Sequence, residues 1–178
     1  MKKLSIVFLI AFSVLNFSCG NKEKKIDEDL VPVNETIDMT VKFIYDKEDV
    51  FKVYYTKTEN ANIDGSLLLT LPVHASKNEQ EITFVFPIGD EPKLIRLDVG
   101  SNQEAEFIQI KNITISHGDN IIDNSDWITN TNWSPNESLI FDANNKIYKI
   151  LTIKGVKSPV LMSNSILQEK IANYFKKK

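Results

Sequence analysis

The stretch 82–115, ITFVFPIGDEPKLIRLDVGSNQEAEFIQIKNITI, limits the fold more than any other part of the chain. Ile82, Phe84 and Phe86 alternate with Thr83 and Val85, and Ile95, Leu97 and Val99 alternate with Leu94, Arg96 and Asp98. A period of two places one set of side chains on each face of a half-buried strand. Pro87, Gly89, Asp90 and Pro92, then Gly100, Ser101 and Asn102, punctuate the run into three strands and two turns. In the third strand the apolar residues change parity, from Ile108 and Ile110 to Ile113 and Ile115. One extra residue near Lys111 and Asn112, a β-bulge, keeps all four on the same face.

The same alternation extends in both directions. Met39, Val41, Phe43 and Tyr45 share one face, as do Phe51, Val53 and Tyr55, so these two strands pair as a hairpin or lie in opposite sheets. Tyr54 and Tyr55 are neighbours on a strand and point to opposite faces, which leaves one of them outside or at a sheet edge. After a turn at 60–66, residues 67–71 and 73–75 form a strand interrupted by Pro72, which marks an edge or a bulge. Residues 139–141, 147–153 and 160–162 complete the strands, with Ala143, Asn144 and Asn145 as a turn. Ser165 and Gln168 have capping-box spacing, and Ile166, Leu167, Ile171, Tyr174 and Phe175 fall on one side of a C-terminal helix ending in Lys176, Lys177 and Lys178. Many short strands without βαβ alternation predict an all-β, antiparallel sandwich with a short C-terminal helix.

The N-terminus is of a different kind. Lys2 and Lys3 precede an apolar run over 4–12, the pattern of a secretory signal too short to span a bilayer stably. Residues 20–35 are charge-dense and carry no sustained apolar period, as in a solvated tether. The predicted organisation is a signal peptide over 1–18, a tether over 19–36 and one sandwich domain over 37–178. A net charge of -3 and a hydrophobic content of 42% suit a domain with a real core and argue against nucleic acid as a partner.

Two resemblances sharpen this reading. Ser18, Cys19 and Gly20 resemble the lipobox of bacterial lipoproteins, with Asn16 where that pattern usually has Leu. The resemblance implies that Cys19, the sole cysteine, is acylated and becomes the mature N-terminus. Membrane attachment then runs through lipid, and fatty acyl chains bury about 0.8 kcal/mol per CH₂. Lys22, Lys24 and Lys25 do not resemble the acidic export signals of some surface lipoproteins, which implies an outer-membrane anchor facing the periplasm. Across 39–162, the strands at 51–55, 82–86 and 107–115, the run Leu94-Ile-Arg-Leu-Asp-Val-Gly and the run Lys154-Gly-Val-Lys-Ser-Pro-Val look like a jelly-roll, galactose-binding-like domain. Such domains occur in bacterial lipoproteins and as accessory domains of membrane glycosyltransferases. Val99 stands where the Arg-x-Asp-Pro-Gly turn of that pattern has Pro.

Catalytic and metal chemistry find little foothold. The two histidines, His74 and His117, lie in separate segments, and no Gly-x-Ser-x-Gly elbow or Gly-rich phosphate loop occurs. Asp119, Asp123 and Asp126 offer oxygens without the spacing of a calcium loop and read first as turn and capping residues. No cofactor, resident metal or enzymatic activity is expected. The binding candidates are Trp127 and Trp133, which sit in a long polar loop expected over 117–135 either as stacking platforms or as core plugs. Arg96, the only arginine, pairs with Asp98 or recognises a ligand, and Tyr54 is the strand tyrosine taken as exposed. Together these predict a membrane-anchored, non-catalytic binding module for a glycan or another envelope component. The alternative is an assembly subunit docking on an envelope protein through a sheet face or edge.

Overall fold

The structure, a computed structural model, describes residues 36–58, 63, 67–125 and 131–176. Cys19, the leader, the tether, Trp127, Asp126 and most of the 60–66 turn lie outside the described residues. The described chain is an antiparallel β-sandwich of eleven strands closed by one helix. The strands are β1 (Ile37–Tyr45), β2 (Asp49–Thr56), β3 (Leu67–Val73), β4 (Ser76–Val85), β5 (Leu94–Asp98), β6 (Phe107–His117), β7 (Asn120–Ser125), β8 (Trp133–Pro135), β9 (Leu139–Asp142), β10 (Ile147–Ile150) and β11 (Val160–Ser163), followed by α1 (Ser165–Lys176). One sheet runs β4-β1-β6-β10-β9, with β7 also on β6, and the other runs β3-β2-β5-β11-β8.

Alternation accounts for the layering. Met39, Val41, Phe43 and Tyr45 of β1 and Phe51, Val53 and Tyr55 of β2 are all buried, so the two strands face each other across the core from opposite sheets. That settles the hairpin question: the 46–48 turn changes sheet. The three strands of the 82–115 run likewise divide, with β4 and β6 flanking β1 and β5 lying between β2 and β11. Each fully buried Val, Leu, Ile or Phe here contributes about 1.5 to 3 kcal/mol of transfer free energy.

The bulge forms where the parity change requires it. Lys42 pairs with Asn112 and the next residue, Phe43, pairs with Ile110, leaving Lys111 outside the ladder and exposed. Ile108, Ile110, Ile113 and Ile115 are consequently all in the core. Pro72 lies in β3, the edge of its sheet, the position in which a strand tolerates proline.

Three expectations are corrected. The stretch 117–135 is not one long loop: β7 pairs back on β6 through a two-residue Gly118-Asp119 turn, and β8 joins the other sheet. Gly118 has φ 56, a left-handed conformation open to glycine without penalty. The helix cap is Asn164, one residue before Ser165, since its Oδ1 accepts from the N–H groups of Ile166 at 3.0 Å and Leu167 at 3.2 Å. Gln168 Nε2 donates to the Ser163 carbonyl at 2.8 Å and the Asn164 N–H donates to the Asn132 carbonyl at 3.0 Å, so no reciprocal capping box forms. Leu167 and Ile171 bury the inner face of α1, whereas Ile166 is exposed. Finally, β10 stops at Ile150, and Ile153 instead bridges Val156 around Lys154 and Gly155.

Candidate functional site

Because Phe51, Val53, Tyr55, Ile95 and Leu97 face the core, Lys52, Tyr54, Arg96 and Asp98 must face out from the five-stranded sheet. The β2–β5 register sets Tyr54 opposite Arg96 and Lys52 opposite Asp98. The Arg96 Nε–H donates to Asp98 Oδ1 at 2.6 Å and Nη2–H to Oδ2 at 2.9 Å, a bidentate fork. The guanidinium carbon also stands 5.1 Å from the Tyr54 ring centroid. Two sequence candidates, Tyr54 and Arg96, are therefore brought together, and the Arg96–Asp98 ion pair is the one proposed from the strand spacing.

Trp133 is placed elsewhere. It begins β8 with its side chain in the core, 1% exposed, so its ring offers no face to solvent. Of the two roles open to it in the sequence, it occupies that of core plug. Among the described residues its buried indole Nε1 has no hydrogen-bond acceptor.

Beside the Arg96–Asp98 pair is a depression of about 200 Å³, lined among others by Lys52, Asp98, Ser101, Val156, Lys157 and Ser158. One wall is the turn at 153–156, in which Lys154 has φ 50, an uncommon conformation for a residue with a Cβ. The turn leaves Val156 55% exposed at the rim. Lys157 is fixed at both ends: its backbone N–H donates to Gln103 Oε1 at 3.1 Å and its Nζ to the Ala105 carbonyl at 2.6 Å.

Asp49 holds the backbone of two lining residues, Val50 and Ser101. Its Oδ2 accepts from Tyr45 Oη–H at 2.8 Å, Ser101 N–H at 3.0 Å and Asn102 N–H at 2.9 Å, and its Oδ1 from Val50 N–H at 2.8 Å. Burial first, and the Asp49 carboxylate second, push the Tyr45 phenol above the ordinary tyrosine range. Gly100 makes the approach possible: with φ 104, a Cβ there would collide with the Asp49 carboxylate, whose Cγ would lie 2.8 Å away.

Other carboxylates are used in the same way. Asp90 accepts from Lys57 and, at 2.7 Å, from Tyr55 Oη–H; the Lys57 contact first and Tyr55 second hold it below the usual carboxylate range. Glu48 is lowered by the Ala75 N–H and then by His74, which it meets at 3.1 Å. Asp142 is lowered to about 2 by Lys149 and then Asn145. His117 Nδ1 meets Tyr174 Oη at 3.0 Å, joining β6 to α1. The carboxylates of Asp90, Glu48 and Asp142 are ionised acceptors that tie turns together, and their chemistry is that of structural clamps.

Asp119 lies in the β6–β7 turn, while the side chain of Asp123 and all of Asp126 are outside the described residues, so the three-carboxylate reading has no geometry to judge. Among the described residues no helix is long and apolar enough to cross a membrane. Lys52, Ser101 and Ser158 were not among the binding candidates of the sequence, where the two serines figure only in turns. Lys52 had one usable signal: it alternates in phase with Tyr54 on the outward face of 51–55. Nothing in the sequence indicates that the turns carrying the two serines converge on it.

No protein-family model matches the chain, and comparison with curated proteins and with solved structures likewise gives no match.

Proposed function

We propose that this chain is a lipid-anchored envelope protein whose non-catalytic β-sandwich binds a glycan on the outer face of its five-stranded sheet. The supporting observation is the grouping of Lys52, Tyr54, Arg96 and Asp98 on two adjacent strands, beside a depression of about 200 Å³. A sugar needs a flat apolar surface and a rim of fixed donors and acceptors. Tyr54 supplies the first, and the Arg96–Asp98 fork, already held in place, forfeits little rotamer entropy on binding. The depression is smaller than the roughly 300 to 1,000 Å³ of pockets for drug-sized ligands, which suits one unit of a longer chain. The resemblance to galactose-binding-like accessory domains agrees with this class of ligand.

A glycan array probed with the wild type and with Tyr54→Ala tests the proposal. The substitution is expected to weaken binding by about 1 to 3 kcal/mol, taking aromatic stacking of bases as the guide. The melting temperature should hardly move, because Tyr54 is only partly buried. An array without a single bound glycan would overturn the assignment.

A second reading, an assembly subunit docking on an envelope protein, is favoured by one feature. The edge strand β3 carries Leu68 at 49% exposure and no charged residue in Leu67–Val73, so within the strand only Pro72 guards against strand addition. Co-purification of a defined envelope complex by a protein that binds no glycan would select it.

The anchor has its own test. Cys19→Ser is expected to release the protein from the membrane fraction with its fold intact, since the tether separates the acyl site from the domain. The measurement is fatty-acid labelling with membrane fractionation, and a labelled or membrane-retained variant would contradict it. Protease shaving of intact cells addresses the periplasm-facing, outer-membrane placement, which removal of the domain would refute.

A further inference from the structure

We infer that the ligand bound on the five-stranded sheet carries an anionic group, a carboxylate or a phosphate, seated by Lys52; this rests on the glycan-binding reading above. Lys52 lies directly opposite Asp98 in the β2–β5 ladder, the position from which a lysine and an aspartate ordinarily pair across strands. That pair is pre-empted. Both Asp98 oxygens accept from the Arg96 fork, and Lys52 has no hydrogen bond or ion pair among the described residues. A half-buried lysine without an ion-pair partner among the described residues therefore lines the depression.

The surroundings favour an anion. Asp98, the one carboxylate in the lining, is neutralised by Arg96, and Lys157 adds a second positive charge. Asp49, outside the lining, directs its charge at the Tyr45 hydroxyl and the Val50, Ser101 and Asn102 amides. The hydroxyls of Ser101 and Ser158 supply further donors of the kind that complete a carboxylate or phosphate site. Arg96 acts as a positioning residue. By occupying Asp98 it keeps Lys52 available, a role that requires the planar fork and that lysine cannot reproduce.

The experiment is calorimetric titration of the detergent-solubilised full chain with oligogalacturonate, a phosphorylated mannan, and neutral galactan and mannan oligomers of matched length. Tighter binding of an acidic oligomer than of its neutral counterpart by about tenfold at low salt, the size of one charge-assisted hydrogen bond, supports the inference. The preference should shrink as salt rises. It should vanish in Lys52→Ala and persist in Lys52→Arg. Arg96→Lys should also reduce it, because a released Asp98 then pairs with Lys52, although the formal charge is unchanged. Which acidic oligomer binds distinguishes carboxylate from phosphate. Equal binding of acidic and neutral oligomers, insensitive to Lys52→Ala, would overturn the inference and leave the glycan reading standing. No binding of any oligomer would overturn both.

Discussion

Replacing Trp133 by Ala is expected to destabilise the domain by about 3 to 5 kcal/mol, the range for removing a large aromatic from a packed core. The residue is 1% exposed and among the largest fully buried side chains of the sandwich. It pairs in register with Ser163, whose Oγ accepts the Ile95 N–H at 2.9 Å, so the cavity would open beside the seam joining β8, β11 and β5. Trp133→Phe should cost much less, because the indole N–H has no acceptor among the described residues and its deletion forfeits no hydrogen bond. Denaturant unfolding of the two variants measures the difference. A Trp133→Ala variant as stable as the wild type would show that the ring does not plug the core.

Gly100→Ala is the second large effect, with an expected loss of about 3 kcal/mol. Left-handed backbone costs a residue with a Cβ roughly 1 to 2 kcal/mol, and displacing Asp49 weakens hydrogen bonds to a charged acceptor that are worth about 1.5 to 3 kcal/mol each. The two contributions separate in a double-mutant cycle. In an Asp49→Ala background the obstructing carboxylate is gone, so Gly100→Ala should then carry the backbone penalty and the milder contact with Tyr45 Oη, 3.1 Å from the added Cβ. Additive losses in the cycle would show that the Gly100 backbone and the Asp49 carboxylate act independently, against the close approach described above.

Local features of the fold were legible because they depend on one strand at a time. Alternation identified the buried faces of β1, β2, β4 and β5, a parity change located the bulge at Lys111, and Pro72 marked an edge. Strand partners were not legible, since the face of Phe51, Val53 and Tyr55 looks the same whether the strand joins β1 or opposes it. The β6–β7 hairpin escaped notice because Ile121 and Ile122 form too short an apolar pair to display a period, although Gly118-Asp119 is a two-residue hairpin signal. The cap moved from Ser165 to Asn164 because both residue types cap well and sequence alone does not rank neighbours. The site behaved similarly. Tyr54 and Arg96 were each visible as outward strand residues, but their contact, and the loss of Asp98 as a partner for Lys52, follow from register between distant segments.

The central place of β1 governs when this domain can fold. Its hydrogen-bonding partners on either side are β4 and β6, so the first strand of the sandwich cannot complete its ladders until the chain through His117 is available. The other sheet waits longer, because β5 is flanked by β11 and closes only when residues through Ser163 are present. Six of the nine strand pairings among the described residues thus join strands that are not consecutive in the chain, and loop-closure entropy must be overcome before they form. Two-state domains of this kind fold in roughly milliseconds to seconds, well behind helical bundles of equal size. A nascent chain built this way leaves its second sheet unclosed until its last strand arrives.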